Sequence, residues 1–279
     1  SGGPGFAGAG AGMSELLREH APLSETAWKL LDDEARERLT PKLAARRLVD
    51  FSGPHGWQHS ATSLGRIRRL HDLPWEGVLA AQREVLPLVE LHVPFVVARG
   101  ELHDADRGAR DVDLTALDEA ASRLALAENG AVFHGWEDAG IRGIAQVAKH
   151  DPIVLGAHCE RYPRHVAMAV ERLLDAGIDG PYGLALGPEP YTRVLETSEH
   201  GGYPLLDHLR KILGGPLVWA PGVGGGAVVS LRGGDFLFES GEDISVGYDR
   251  HDGDTVHLYL VESFSFRVVT PEAAVALTP

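Results

Sequence analysis

Cysteine is almost absent from this chain: Cys159 is the only one in 279 residues. A single thiol cannot close an intrachain disulfide, and it excludes every zinc or iron–sulfur centre built from several cysteines. A reducing, cytoplasmic setting is expected. Long apolar runs are also missing. No stretch approaches 18 uninterrupted apolar residues, so no membrane span is read from the sequence, and no charged n-region followed by an apolar core suggests a secretory signal. Positive charge is scarce. Lys plus Arg number 26 against 40 Asp plus Glu, giving a formal net charge of -14. The average field around such a chain repels a phosphate backbone, which argues against nucleic acid as a partner. The deficit is uneven: residues 1–75 carry 10 basic and 9 acidic side chains, the remainder 16 and 31. Local catalytic signatures are lacking too, with no G-x-S-x-G elbow, no Walker A loop and no H-E-x-x-H pair.

What is present reads as an ordinary globular chain, 44% hydrophobic and 24% charged. Residues 1–12, SGGPGFAGAGAG, have almost no side chains to pack and are costly to order, so they read as a linker or cloning remnant ahead of Met13. Ser24 is a candidate N-cap for a helix whose inner face carries Trp28, Leu31, Ala35 and Leu39. Residues 46–75 carry Gly, Pro and Ser punctuation among short alternating stretches and read as an extended, hairpin-like arm, with helical residues following around 76–85. Asp113 looks like the cap of a long helix running to about His134, with Leu114, Leu117, Ala121, Leu124 and Ala131 on one stripe. Glu128 falls on that stripe and reads as the edge of an interface. Further helices are expected over about 163–176, 188–197 and 204–213. From Leu217 the chain is β-rich, and alternation over 256–261 and 264–268 predicts half-buried strands.

The remaining features have unremarkable readings. His55 and His59 form an i, i+4 pair, but in the arm rather than on a helix, so they make a poor metal site. Gly222 to Ala227 resembles a dinucleotide fingerprint without the helix that should follow it, and reads as a turn between strands. Cys159 reads as an inert thiol, and Asp249 to Asp254 as a solvated turn. No catalytic residue, metal ligand or cofactor site is assigned.

Taken in order, the segments LLREHAPLSETAW, GPHGW, LPLVELHVPF, FHGWEDAGIRGI, GIDGPYGLALGP, HGGYPLLDHL, LVWAPGV, SLRGGDF, EDISVGYDRHDGDTV and LYLVESFSFRVVTPEAAVAL resemble the encapsulins, over residues 16–277. The resemblance implies an α+β fold of the tailed-phage major capsid protein (Hong Kong 97) type with a P-domain, an A-domain and an E-loop. It divides the chain into the leader at 1–13, an N-terminal helix and P-domain entry at 14–51, an E-loop at 52–92, and a P-domain with its spine helix at 93–137. The A-domain follows at 138–225, and C-terminal strands shared by both domains at 226–279.

The implied function is structural rather than enzymatic. The chain would self-assemble, as a homo-oligomer of some multiple of sixty subunits, into a cytoplasmic icosahedral nanocompartment. The compartment would enclose a cargo enzyme, a dye-decolourising peroxidase or a ferritin-like protein, through the cargo's C-terminal targeting peptide, with a link to iron storage or oxidative stress. Phage major capsid protein is the alternative reading, and a hydrolase a weaker one. By position, Leu31, Ala35 and Leu39 are expected as apolar contacts for the peptide, and Arg46 and Asp50 as polar ones. The five-fold pore loop would comprise Glu199, His200, Gly201, Gly202 and Tyr203, with Glu199 and His200 placing charge near a channel.

Overall fold

The computed structural model describes residues 15–198 and 204–279. The expected first helix is present as α1 (Glu25–Leu39), capped by the Ser24 hydroxyl, which accepts the Ala27 N–H at 3.0 Å. The elements that follow are β1 (Asp50–Ser52), β2 (Ala61–Leu70), β3 (Ala80–Pro87), β4 (Val89–Ala98), α2 (Arg99–Asp106) and α3 (Thr115–His134). The second half holds α4 (Ile144–Val147), β5 (Ile153–Val154), α5 (Tyr162–Asp175), β6 (Tyr182–Leu186), α6 (Pro188–Glu196), α7 (Leu205–Leu213), β7 (Leu217–Trp219), β8 (Gly226–Ser230), β9 (Phe236–Ser240), β10 (Ser245–His251), β11 (Thr255–Val268) and β12 (Ala274–Thr278).

Helices α3, α5, α6 and α7 fall where periodicity placed them. The N-cap of α3 is Leu114, one residue later than expected; the Asp113 carboxylate before it accepts both the backbone N–H and the hydroxyl of Thr115, at 3.0 and 2.6 Å. Gly214 ends α7 in the left-handed region, at φ 66°, where a side chain would be strained. Two expectations fail. Residues 80–87 form strand β3 rather than helix. Ala, Gln, Glu and Leu favour helix there, but antiparallel pairing with β2, from Ala61↔Pro87 to Leu70↔Ala80, overrides propensity. The arm also begins later than 46, because residues 45–47 are a short 3-10 turn seated in the body.

Two sheets organise the body. In the first, β11 is central. Along one edge it pairs antiparallel with β4; along the other it pairs with β10 over its first half and β9 over its second. Strand β1 adds in parallel to β9, so residues 50–52 meet residues 237–239. The second sheet runs β5-β12-β8-β6-β7. Strand β11 alternates as expected, yet its central residues are buried on both faces rather than half-buried. Helix α3 lies against the β4–β11 face, and on the other side Leu16 packs with Tyr259 and Val261. The hairpin β2–β3 stands apart as a two-stranded sheet.

Candidate functional site

Helix α1 turns Ala27, Leu31, Ala35 and Leu39 inward, where all four are fully buried in the main core. Burying four apolar side chains of this kind is what holds a surface helix on its body. Leu31, Ala35 and Leu39 therefore offer no surface to a second chain in this conformation, and their expected role as peptide contacts is corrected to packing. The outward face of α1 is different. There Glu25, Trp28, Lys29, Asp32, Asp33 and Arg36 line an open groove together with Arg18. Arg18 reaches across it: its two terminal nitrogens bond the Asp32 carboxylate at 2.9 and 2.6 Å, its Nε donates to the Val246 carbonyl at 2.8 Å, and its guanidinium sits 4.5 Å from the centre of the Trp28 ring.

Arg46 is also not where the sequence reading put it. Its side chain is 5% exposed and sits among three carboxylates. Nε donates to Glu128 at 2.7 Å, one terminal nitrogen to Asp243 at 2.6 Å and the other to Glu262 at 2.7 Å. The acids come from α3, the turn before β10, and β11. The rings of Phe51 and Phe238 flank the guanidinium at 5.1 and 5.4 Å. Burial alone would lower the Arg46 pKa, but the Glu128, Glu262 and Asp243 charges outweigh it and hold the guanidinium above its ordinary range. A buried cation engaged in every direction cannot recognise a passing peptide, so Arg46 is a structural hub.

Asp50 is half-buried at the start of β1, and its carboxylate accepts the Gly234 N–H at 2.7 Å. It ties β1 to the turn before β9. Glu128, read as an interface edge, is completely buried instead. Its neighbour Asn129 is equally buried: Asn129 accepts the Ala45 N–H at 3.1 Å and donates to the carbonyls of Lys42 and Pro221 at 2.8 and 2.9 Å. Glu128, Asn129, Asp243 and Glu262 form the polar framework that sequence reasoning missed. The available signal was a Glu-Asn pair on an apolar helical stripe and a lone Glu inside an apolar strand.

Glu199, His200, Gly201, Gly202 and Tyr203 lie outside the described residues. On either side of them, Ser198 and Pro204 form an antiparallel bridge.

No side chains come together as a catalytic constellation in the places the sequence offered. Ser52 and His55 are hydrogen-bonded at 2.9 Å, and His59 meets Glu239 at 2.5 Å, with the two imidazoles 4.8 Å apart. The carboxylate orients a different ring from the one beside the hydroxyl, so no single imidazole links acid to nucleophile. Cys159 is hydrogen-bonded to the Thr197 hydroxyl, at 3.0 Å. Asp252 closes its turn by accepting from Asp254 and Thr255, and Gly222 to Ala227 turns from β7 into β8. Among the described residues no group of three His, Cys, Asp or Glu side chains is arranged to hold a metal, and no helix is long and apolar enough to cross a membrane.

The hairpin has the opposite character from the body. Ile67 is 64% exposed, Trp75 65% and Leu79 100%. An isolated two-stranded ribbon is marginal in water, and a Trp and a Leu at its tip add apolar surface that the described residues leave largely exposed.

Comparison with known proteins places these features. The family described as "Encapsulating protein for peroxidase" matches residues 13–265. A type 1 encapsulin shell protein of Rhodospirillum rubrum is 47% identical over 270 residues, covering 95% of this chain and 96% of the relative. One of Mycolicibacterium paratuberculosis is 42% identical, covering 95% and 100%. Among solved structures, the virus-like particle of Pyrococcus furiosus superposes with a TM-score of 0.60 at 18% identity, covering 90% of this chain and 97% of that one. The capsid of an empty GTA particle gives 0.53 at 14% identity, covering 85% and 96%. The fold is thus the Hong Kong 97 type expected from the sequence.

Proposed function

The chain belongs to the encapsulin shell-protein family, and from that membership we propose that copies of it close into an icosahedral compartment around a cargo enzyme in the cytoplasm, with no catalysis by the shell itself. The observation that carries assembly is the uncovered apolar hairpin. Trp75 and Leu79 at its tip are the kind of surface that a neighbouring copy buries. In this reading the hairpin is the E-loop, α3 the spine helix of the P-domain, and the second sheet with α5 to α7 the A-domain.

Cargo docking belongs to the N-terminal segment. The accessible members are Arg18, Trp28 and the charged outer face of α1, while Leu31, Ala35 and Leu39 keep that face in place. A peroxidase is the cargo class that the family description supports, with a ferritin-like protein as the alternative. One weak peptide site per subunit, repeated around a shell, captures an oligomeric cargo by effective concentration. Residues 199–203 would rim the five-fold channel.

Size-exclusion chromatography with negative-stain microscopy tests the assembly. Closed particles are expected from the unaltered chain, and a folded species that no longer closes from the Trp75→Ser, Leu79→Ser double variant. A 30.0 kDa monomer from the unaltered chain would overturn the proposal.

A further inference from the structure

The hub around Arg46 has an unbalanced charge. One guanidinium faces three carboxyl groups whose side chains are 0%, 1% and 1% exposed. Among the described residues, every ion pair of Glu128, Asp243 and Glu262 runs to Arg46. If all three acids were ionised, the site would hold two uncompensated negative charges against a wall of phenylalanine rings. Each acid also has a second oxygen that is buried with no donor: Oε1 of Glu128, Oδ2 of Asp243 and Oε1 of Glu262. Leaving such groups unpaired is costly. One added proton halves the excess charge and supplies one of the missing donors.

We propose that Glu128 and Glu262 form a buried proton-binding pair: one proton is held between their carboxyls at neutral pH and locks α3 to β11 until alkaline conditions remove it.

The surroundings single out the Glu128–Glu262 pair: each has one oxygen on an Arg46 nitrogen and a second buried oxygen with no donor. Asp243 differs from both, because its Oδ1 accepts the Ile244 N–H at 2.8 Å as well as an Arg46 nitrogen. Glu262 lies on the central strand and Glu128 on α3, with their carboxyls within hydrogen-bond reach of each other. Burial first, and then the Glu128 charge, hold Glu262 well above the usual carboxylate range, although Arg46 opposes them. The other nearby polar groups are engaged elsewhere. Glu242 accepts the Ser245 hydroxyl at 3.1 Å and is itself pushed up by burial. Lys42 is engaged by Ser122 on α3, and the Asn129 amide is spent on backbone carbonyls. Strand β4 presents Leu91 opposite Glu262, and β9 presents the Phe238 ring to Arg46.

The sign of the pH dependence follows. An acid whose folded pKa is raised contributes stability that is whole below its unfolded pKa and is lost as pH rises through the folded one. The hub therefore weakens on the alkaline side, where the departing proton leaves Glu128 and Glu262 as adjacent anions.

Infrared difference spectroscopy of the assembled protein reads this directly. The unaltered shell at neutral pH is expected to show a buried carboxylic-acid C=O band that shifts in deuterium oxide and disappears on alkaline titration. Glu262→Gln supplies a permanent neutral donor, so it should abolish the band, keep the particle, and flatten the alkaline fall of the thermal midpoint. A wild-type spectrum with no such band at neutral pH overturns the proposal, and needs no variant to fold. So does a band that persists in Glu262→Gln but vanishes in Glu242→Gln.

Discussion

Replacing Arg46 by Met separates structural hub from peptide contact most sharply. Met keeps the apolar stem and removes the charge, leaving Glu128, Asp243 and Glu262 buried without a cation. Three charge-assisted hydrogen bonds are lost, each worth about 1.5–3 kcal/mol. The orphaned acids relieve part of the deficit by taking up protons, so a net loss of ~3–5 kcal/mol, the usual cost of breaking a buried ion pair, is the expected magnitude near neutral pH. That is a large share of the ~5–15 kcal/mol by which folded domains are stable. At about 2–4 °C per kcal/mol for a chain of this size, the thermal midpoint should fall by roughly 6–20 °C. The loss should shrink in mildly acidic buffer, where the carboxyls are neutral. Arg46→Lys should lie between the two, since an ammonium keeps the charge but cannot bond three diverging acids in one plane. The assay is thermal unfolding of purified protein followed by tryptophan fluorescence, at neutral and acidic pH. A variant with the wild-type midpoint and selectively poor cargo loading would refute the hub and restore Arg46 to the docking surface.

Further outcomes follow from other positions. Leu31→Ala should destabilise the subunit by about 2–5 kcal/mol, because a fully buried side chain leaves a cavity, whereas Asp33→Ala, which breaks an exposed pair with Lys29, should leave the midpoint unchanged; equal effects would place α1 off the body. His134 accepts the Gly224 N–H on Nε2 at 3.0 Å, so the folded chain needs the neutral ring, and burial lowers its pKa. Stability from this group is whole above the ordinary imidazole range and is lost as pH falls through the lowered value. His134→Gln should flatten the acid side of a midpoint-against-pH curve, and an unaltered acid slope would remove His134 from the account. Deleting residues 198–202 should leave closed particles that admit a small labelled thiol reagent faster; unchanged entry would count against the channel assignment.

Much of the fold could be read from sequence because its helices announce themselves. Ser24, Asp113 and Gly214 mark ends, and apolar stripes mark inner faces. The β2–β3 arm was legible as extended but not in extent, since AAQREVL has helical propensity and only its pairing with β2 makes it a strand. The apolar side chains expected to meet a peptide are buried in the subunit's own core. The stripe Leu31, Ala35, Leu39 has the same spacing whether it binds a peptide or a core, and only the presence of α3 behind it decides. Arg46 was misread for a related reason. Its three partners lie at 128, 243 and 262, and no local pattern records that they converge.

The long sequence interval across that hub also has a consequence in time. Arg46 and Glu262 are separated by 216 positions, and chains emerge at about 5–20 residues per second. Arg46 therefore waits roughly 10–40 s after its own synthesis before its last partner exists. Through that interval β1 also lacks β9, and β4 lacks β11. A subunit cannot take on its finished shape while it is still being made, so a growing compartment recruits completed chains.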